Sequence, residues 1–130
     1  MRKKNYKEVE NKPAVLSDGT LVKNVYVRWL IDEEHDGAKN FAMRRFEIRP
    51  KTEVPLHGHP QDHEIYILSG KGKFYNNSGT EEFVQKGDVI YIPPNEKHAI
   101  ENIDKSDLVF LCLIPYLKGE DTKPKLTPNE

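Results

Sequence analysis

Three of the chain's five histidines, His57, His59 and His63, fall within seven residues of one another in the run Leu56-His-Gly-His-Pro-Gln-Asp-His-Glu64. A fourth, His98, follows Pro93-Pro94 in a second block. A neutral imidazole offers a nitrogen lone pair near neutral pH, which makes histidine the commonest metal ligand. Four of them in two short blocks point to a metal centre. The fifth, His35, lies in the polar stretch from Asp32 to Asn40 and reads as a surface residue.

Local geometry limits how these rings can meet. Residues two apart in a strand share a face, so a strand through 54–59 projects His57 and His59 together before Pro60 breaks it. His63 and Glu64 are adjacent and point to opposite faces, so only one of them can reach a metal without distortion. His63 shares its face with Ile65 and Ile67, and Glu64 with Tyr66 and Leu68. Both faces can be buried, so periodicity leaves the choice open.

The elements that must position these rings read as short strands. Val25, Val27, Trp29 and Ile31 alternate with Tyr26, Arg28 and Leu30 at a period of two. Residues 41–48, 54–59, 64–68, 73–75, 82–84, 89–92, 98–102 and 108–114 read as further strands. Asn76-Asn77-Ser78-Gly79 is a hairpin signal, and Gly70-Lys71-Gly72 ends a strand rather than forming a phosphate loop, because no helix follows. No segment carries a sustained helical period. Short strands punctuated by Gly and Pro predict an all-β antiparallel sandwich or barrel.

The 130 residues fit a single domain. Residues 1–20 read as a loosely held extension, 21–116 as the barrel, and 117–130 as a disordered tail. A net charge of −1 with both signs mixed along the chain argues against a nucleic-acid module, which shows a basic face. The longest apolar run, Leu108 to Ile114, is far short of the ~20 residues of a membrane span. The basic N-terminus has no apolar segment after it, and the single cysteine, Cys112, forms no intrachain disulfide, so the expected compartment is the cytoplasm. For the same reason Asn76-Asn77-Ser78 reads as a turn and not as a glycosylation site.

At the histidine blocks the chain resembles the cupin superfamily. The first cupin motif runs G-x5-H-x-H-x3,4-E-x6-G. Here His57, His59 and Glu64 follow it, with Lys51 at the leading glycine; Gly70 and Gly72 close the block on either side of Lys71, where the last glycine would fall. The second runs G-x5-P-x-G-x2-H-x3-N. Gly87, Pro93, His98 and Asn102 follow it, with Asn95 in place of its glycine. Asn tolerates the left-handed conformation, so the turn should survive. The resemblance covers roughly residues 41–115. The strings His-x-His-Pro-x-x-His-Glu and Pro-Asn-Glu-x-His are similar to those of small single-domain manganese cupins of bacteria.

That resemblance implies a jelly-roll barrel (a double-stranded β-helix) with the metal inside, and a homodimer, which Leu21 to Ile31 would build by adding to the sheet of a second copy. It implies four histidine ligands, His57, His59, His63 and His98, with Glu64 in support. The general cupin pattern would instead use Glu64 in place of His63. The expected cofactor is one divalent transition metal per chain, manganese first, then iron, zinc, nickel or copper. Imidazole suits the latter four, while manganese more often takes oxygen.

Four protein ligands on an octahedral ion leave two positions open, unlike a closed structural zinc site. Uncompensated by anionic ligands, the centre should favour a small anionic substrate. The expected function is a metal-dependent oxidoreductase of the oxygenase or dioxygenase kind. The alternatives are a non-redox isomerase or lyase, with Glu64 as candidate catalytic base, and a non-catalytic small-molecule binding module.

Of the remaining residues, Asp62 reads as a solvated turn residue and Cys112 as core packing, with a position lining the site as the alternative. One of Arg44 and Arg45 must face inward, either to bind an anion or, by preference, to pair with Glu47 or another carboxylate. Because ligands must be neutral, bound metal should be released between about pH 7 and pH 5.

Overall fold

Alternation of burial along several of the strands decides which side chains meet inside the protein. The computed structural model describes residues 1–16 and 18–117. Among them are strands β1 (Lys12–Val15), β2 (Leu21–Ile31), β3 (Phe41–Ile48), β4 (Glu53–His57) and β5 (His63–Ser69). They continue with β6 (Lys71–Asn76), β7 (Glu81–Gln85), β8 (Val89–Ile92), β9 (His98–Asn102) and β10 (Leu108–Pro115). A six-stranded sheet runs β1-β2-β3-β10-β5-β8 and a four-stranded sheet runs β4-β9-β6-β7, all pairs antiparallel. This is the expected all-β jelly-roll barrel.

Inward residues recur at every second position: Ala42, Arg44, Phe46 and Ile48 on β3, and His63, Ile65 and Ile67 on β5. Phe46 stacks on Phe110 at a centroid distance of 5.2 Å, and Phe74 meets Phe110 edge-on at 5.9 Å. The β5–β6 turn needs Gly70, at φ 87°, because a Cβ there would lie 2.3 Å from the Asp107 carbonyl oxygen. Asn102 fastens the β9–β10 turn: its side-chain amide donates to the carbonyls of Ile48 and Ser106, and its oxygen accepts from Asp104 N–H.

Three expectations change. Within the segment 1–20, residues 6–15 are fastened to the barrel rather than loosely held. β1 pairs with β2, the Tyr6 ring lies 4.0 Å from the Arg45 guanidinium, and Arg28 Nε donates to the Val9 carbonyl. The polar loop 32–40 contains a one-turn helix, α1 (Glu33–Asp36). Asp32 caps its start by accepting from His35 N–H at 2.8 Å, and Gly37 ends it at φ 71°. Finally, β2 is flanked by β1 and β3 of its own chain, so sheet addition through residues 21–27 is not open to a second copy. The predicted tail from residue 118 onward lies outside the described residues. No helix among the described residues is long and apolar enough to cross a membrane.

Both motif glycines that this chain replaces keep a glycine-like backbone: Lys51 has φ 59° and Asn95 has φ 64°. Asn tolerates this conformation, whereas an ordinary side chain loses about 1–2 kcal/mol in it. Lys51→Gly is therefore expected to stabilise the fold by up to about 1 kcal/mol, the rest being offset by the freer unfolded chain. Urea unfolding midpoints check this, and a lower midpoint would contradict it.

Candidate metal centre

The two motifs meet because β4 pairs with β9, which sets His57 opposite His98. A one-residue β-bulge falls between Val54 and His57, in the Pro55-Leu56 segment. In a regular strand these two residues would face opposite ways; the bulge turns both inward. Pro55 is tolerated because β4 is an edge strand. His59 lies beyond the end of β4, not within the strand expected for 54–59, and it is placed by the turn that follows. The Pro93-Pro94 turn is tied to the first motif by Asn95 N–H donating to the His59 carbonyl at 2.8 Å. His63 arrives from β5, in the other sheet.

All four imidazoles cluster. Ring centroids lie 4.4 Å apart for His57–His98 and for His59–His63, and 5.3 Å apart for His63–His98. The ligand atoms of His57, His59 and His98 lie within 4.8 Å of one another. That is close to the ~3–4 Å between nitrogens bound to one ion at about 2.1 Å. The Nδ1 atoms of these three rings face backbone carbonyls: Pro55 at 2.7 Å, Gln61 at 3.0 Å and Glu96 at 2.8 Å. A carbonyl only accepts, so each Nδ1 carries the proton and each Nε2 keeps its lone pair. The donor set therefore fits a divalent transition metal held by Nε2 atoms.

The other candidates sort by face. Glu64 is exposed on the outer face of the six-stranded sheet, opposite His63 on the strand. That geometry does not suit it as a ligand in place of His63, or as a base acting within the barrel. Tyr66, on the same face as Glu64, is also exposed, whereas Ile65 and Phe110 line the interior. Asp62 binds the Tyr91 hydroxyl at 2.9 Å, and His35 rests on Asp32, both away from the cluster.

Cys112 faces the site, with its sulfur 3.1 Å from His63 Nδ1. The inward arginine is Arg44, which is 1% exposed. Its Nη2 meets Cys112 Sγ at 3.1 Å and His63 Nδ1 at 3.2 Å. Glu47, which had been the preferred partner, is taken by Arg28, Arg45 and Arg49 on the outer face. Arg44, Cys112, His57, His63 and His98, with apolar neighbours such as Val54 and Phe46, enclose a cavity of about 30 Å³. The inward placement of Arg44 was available in the alternation Ala42-Arg44-Phe46-Ile48 against Met43-Arg45-Glu47.

Residues 44–114 match the description "Cupin domain", and the chain belongs to this family. It is 41% identical over 81 residues to the oxalate-binding protein of Thermotoga maritima, covering 62% of this chain and 64% of that protein. It is 37% identical over 79 residues to the oxalate decarboxylase OxdC of Bacillus subtilis, covering 57% of this chain and 20% of that enzyme. The chain thus spans less than two thirds of either protein. Among solved structures it is similar to the polyketide cyclase RemF from Streptomyces resistomycificus, with a TM-score of 0.76 and 28% identity over 99% of this chain and 89% of that one.

Burial holds every ring of the cluster below the usual imidazole range. Burial, then His98, Arg44 and His57, bring His59 down to about 3. Burial and His57 bring His98 to about 4, with Arg44 adding and the Glu96 carbonyl opposing. Burial, then Arg44, holds His63 well below its ordinary value, and burial lowers His57, partly opposed by its bond to Pro55.

In the folded chain His59 and His98 therefore stay neutral through the pH 7-to-5 window expected for metal release. Unfolded histidines titrate near 6.5, so the unfolded chain binds more protons than the folded one from about pH 6.5 down to about 4. Stability is complete above this window and lost as pH falls through it. The melting temperature of the metal-free protein should decline from pH 7 to pH 4.5, and less steeply in the His59→Gln/His98→Gln double variant. A profile flat with pH would contradict this.

Proposed function

We propose that the chain is a metal-dependent oxidoreductase of the oxygenase type whose substrate is a small organic anion, a short carboxylate such as oxalate. The observation that carries this is the Arg44 guanidinium in the wall of the cavity that the histidines share. An arginine stays charged at every accessible pH and presents a planar fork that matches a carboxylate. Its field lowers the proton affinity of all four rings, so it reaches the whole site. With a dication held by His57, His59 and His98, and His63 as fourth ligand, two cationic centres face one small cavity and favour an anion between them. The relatives that bind or act on oxalate support the same class of ligand.

When bound, the ion supplies Lewis acidity toward the carboxylate and one-electron redox chemistry. The chain's own residues do the rest. The carbonyl-pinned imidazoles hold the ion, Arg44 orients the anion, and Phe46, Val54, Ile65 and Phe110 exclude water. Manganese heads the choice of metal by resemblance, and iron, zinc, nickel and copper suit the all-imidazole set. The homodimer remains part of this reading; a monomer by light scattering at micromolar concentration would remove it.

A second reading is a binding module for the same anion, favoured by the 41% identity to an oxalate-binding protein. The isomerase or lyase reading loses Glu64 as its proton carrier, since that residue faces outward.

His57→Ala and His98→Ala are expected to lose bound metal while circular dichroism stays that of a folded barrel; metal retained in both would overturn the ligand assignment. Arg44→Met should keep its metal but bind oxalate at least about tenfold more weakly by calorimetry, the scale of a lost charge-assisted hydrogen bond. Oxygen uptake on adding oxalate identifies the oxidoreductase, oxalate loss without uptake the non-redox lyase, and binding with neither the binding module.

A further inference from the structure

His63 is wired differently from the other three rings. A neutral imidazole has one N–H and one lone pair. His57, His59 and His98 each spend the N–H on a backbone carbonyl. His63 Nδ1 instead faces Arg44 Nη2 at 3.2 Å and Cys112 Sγ at 3.1 Å, and its Nε2 lies 2.7 Å from His59 Nε2. Since His59 donates through Nδ1, its Nε2 can only accept. The 2.7 Å contact therefore places a proton on His63 Nε2, and His63 Nδ1 accepts from Arg44, which has donors only.

In that tautomer His63 has no lone pair to offer a metal. To become a ligand its proton must move to Nδ1, where Arg44 would confront it donor to donor. The acceptor that meets Nδ1 is Cys112 Sγ. The same sulfur lies 3.1 Å from Arg44 Nη2, so the guanidinium keeps a partner when it releases the ring. The backbone fixes this triangle. Cys112 is directly opposite Arg44 across β10 and β3, and opposite Ile65, two residues along from His63, across β10 and β5.

We propose that Cys112 is a positioning residue: by accepting the Nδ1–H of His63 against the competing Arg44 donor, its sulfur sets the tautomer that lets His63 serve as the fourth metal ligand. This rests on the metal-centre reading above, and the test separates the two.

The probe is Co2+ alone, added to metal-free full-length protein. Its affinity is measured by competition with a chelating dye. Proton NMR counts the paramagnetically shifted exchangeable Nδ1–H signals, one per ligated ring. The wild type should show four such signals. Cys112→Ala should show three and bind Co2+ about 10–100-fold more weakly, the usual effect of losing a group that orients a ligand. Cys112→Ser, which keeps a hydrogen-bond acceptor, should restore four signals and most of the affinity. His63→Ala should weaken binding to the same degree, and the double variant His63→Ala/Cys112→Ala no further.

Four signals in a folded Cys112→Ala protein, or losses that add in the double variant, would overturn the role of Cys112 and leave the metal centre standing. Three signals in the wild type would remove His63 as a ligand and the proposal with it. No Co2+ binding by the wild type would overturn the metal-centre reading itself.

Discussion

The bond from each Nδ1–H of His57, His59 and His98 to a main-chain carbonyl is the constraint on which the site depends. It fixes both the tautomer and the rotation of each ring, so three lone pairs point at one place before anything is bound there. The carbonyls belong to Pro55, Gln61 and Glu96, each two residues from the histidine it holds. Such short loops work only if the backbone around them is rigid. The bulge between Val54 and His57, the turn after His59 and the Pro93-Pro94 turn supply that rigidity, and the Asn95 amide on the His59 carbonyl joins two of them.

Around this array the barrel does something a core alone would not. A permanently charged guanidinium in the interior is costly in free energy unless its surroundings compensate. Arg44 is sandwiched by aromatic faces, Phe46 at 5.0 Å and Trp29 at 5.3 Å, and by the sulfur of Cys112. Apolar residues of similar volume would pack the same space more cheaply. A buried cation beside a cluster of neutral bases is the kind of local conflict that a fold accommodates where it has a function to perform.

Much of this was legible in the chain itself. The resemblance carried by Gly87, Pro93, His98 and Asn102 implied the barrel, and Asn95 holds the left-handed turn expected of it. Period-two alternation put His63 with Ile65 and Ile67, but both faces of that segment carry apolar residues. Only the pairing of β5 between β10 and β8 shows that Tyr66 and Glu64 face outward. The inward turn of His57 was not legible as it occurs, because a bulge breaks the period that sequence patterns rely on. The fastening of the N-terminus was missed for a different reason. Its polar residues suggested a loose end, yet Tyr6 finds a seat against Arg45 and Arg28 that composition cannot reveal.

The four rings do not come from one element. His57 and His98 belong to the four-stranded sheet, His63 to the six-stranded sheet, and His59 to the connection between them. Nor are they local in the chain, since four strands, β5 to β8, separate His98 from His57. An ion bound by all of them would act as a rivet between the sheets. It would be captured late, after the long-range β4–β9 closure, and could not nucleate folding as an ion does when its ligands sit in one short segment. Metal loading would then slow the separation of the two sheets far more than it speeds their assembly, and the holoprotein would be long-lived kinetically.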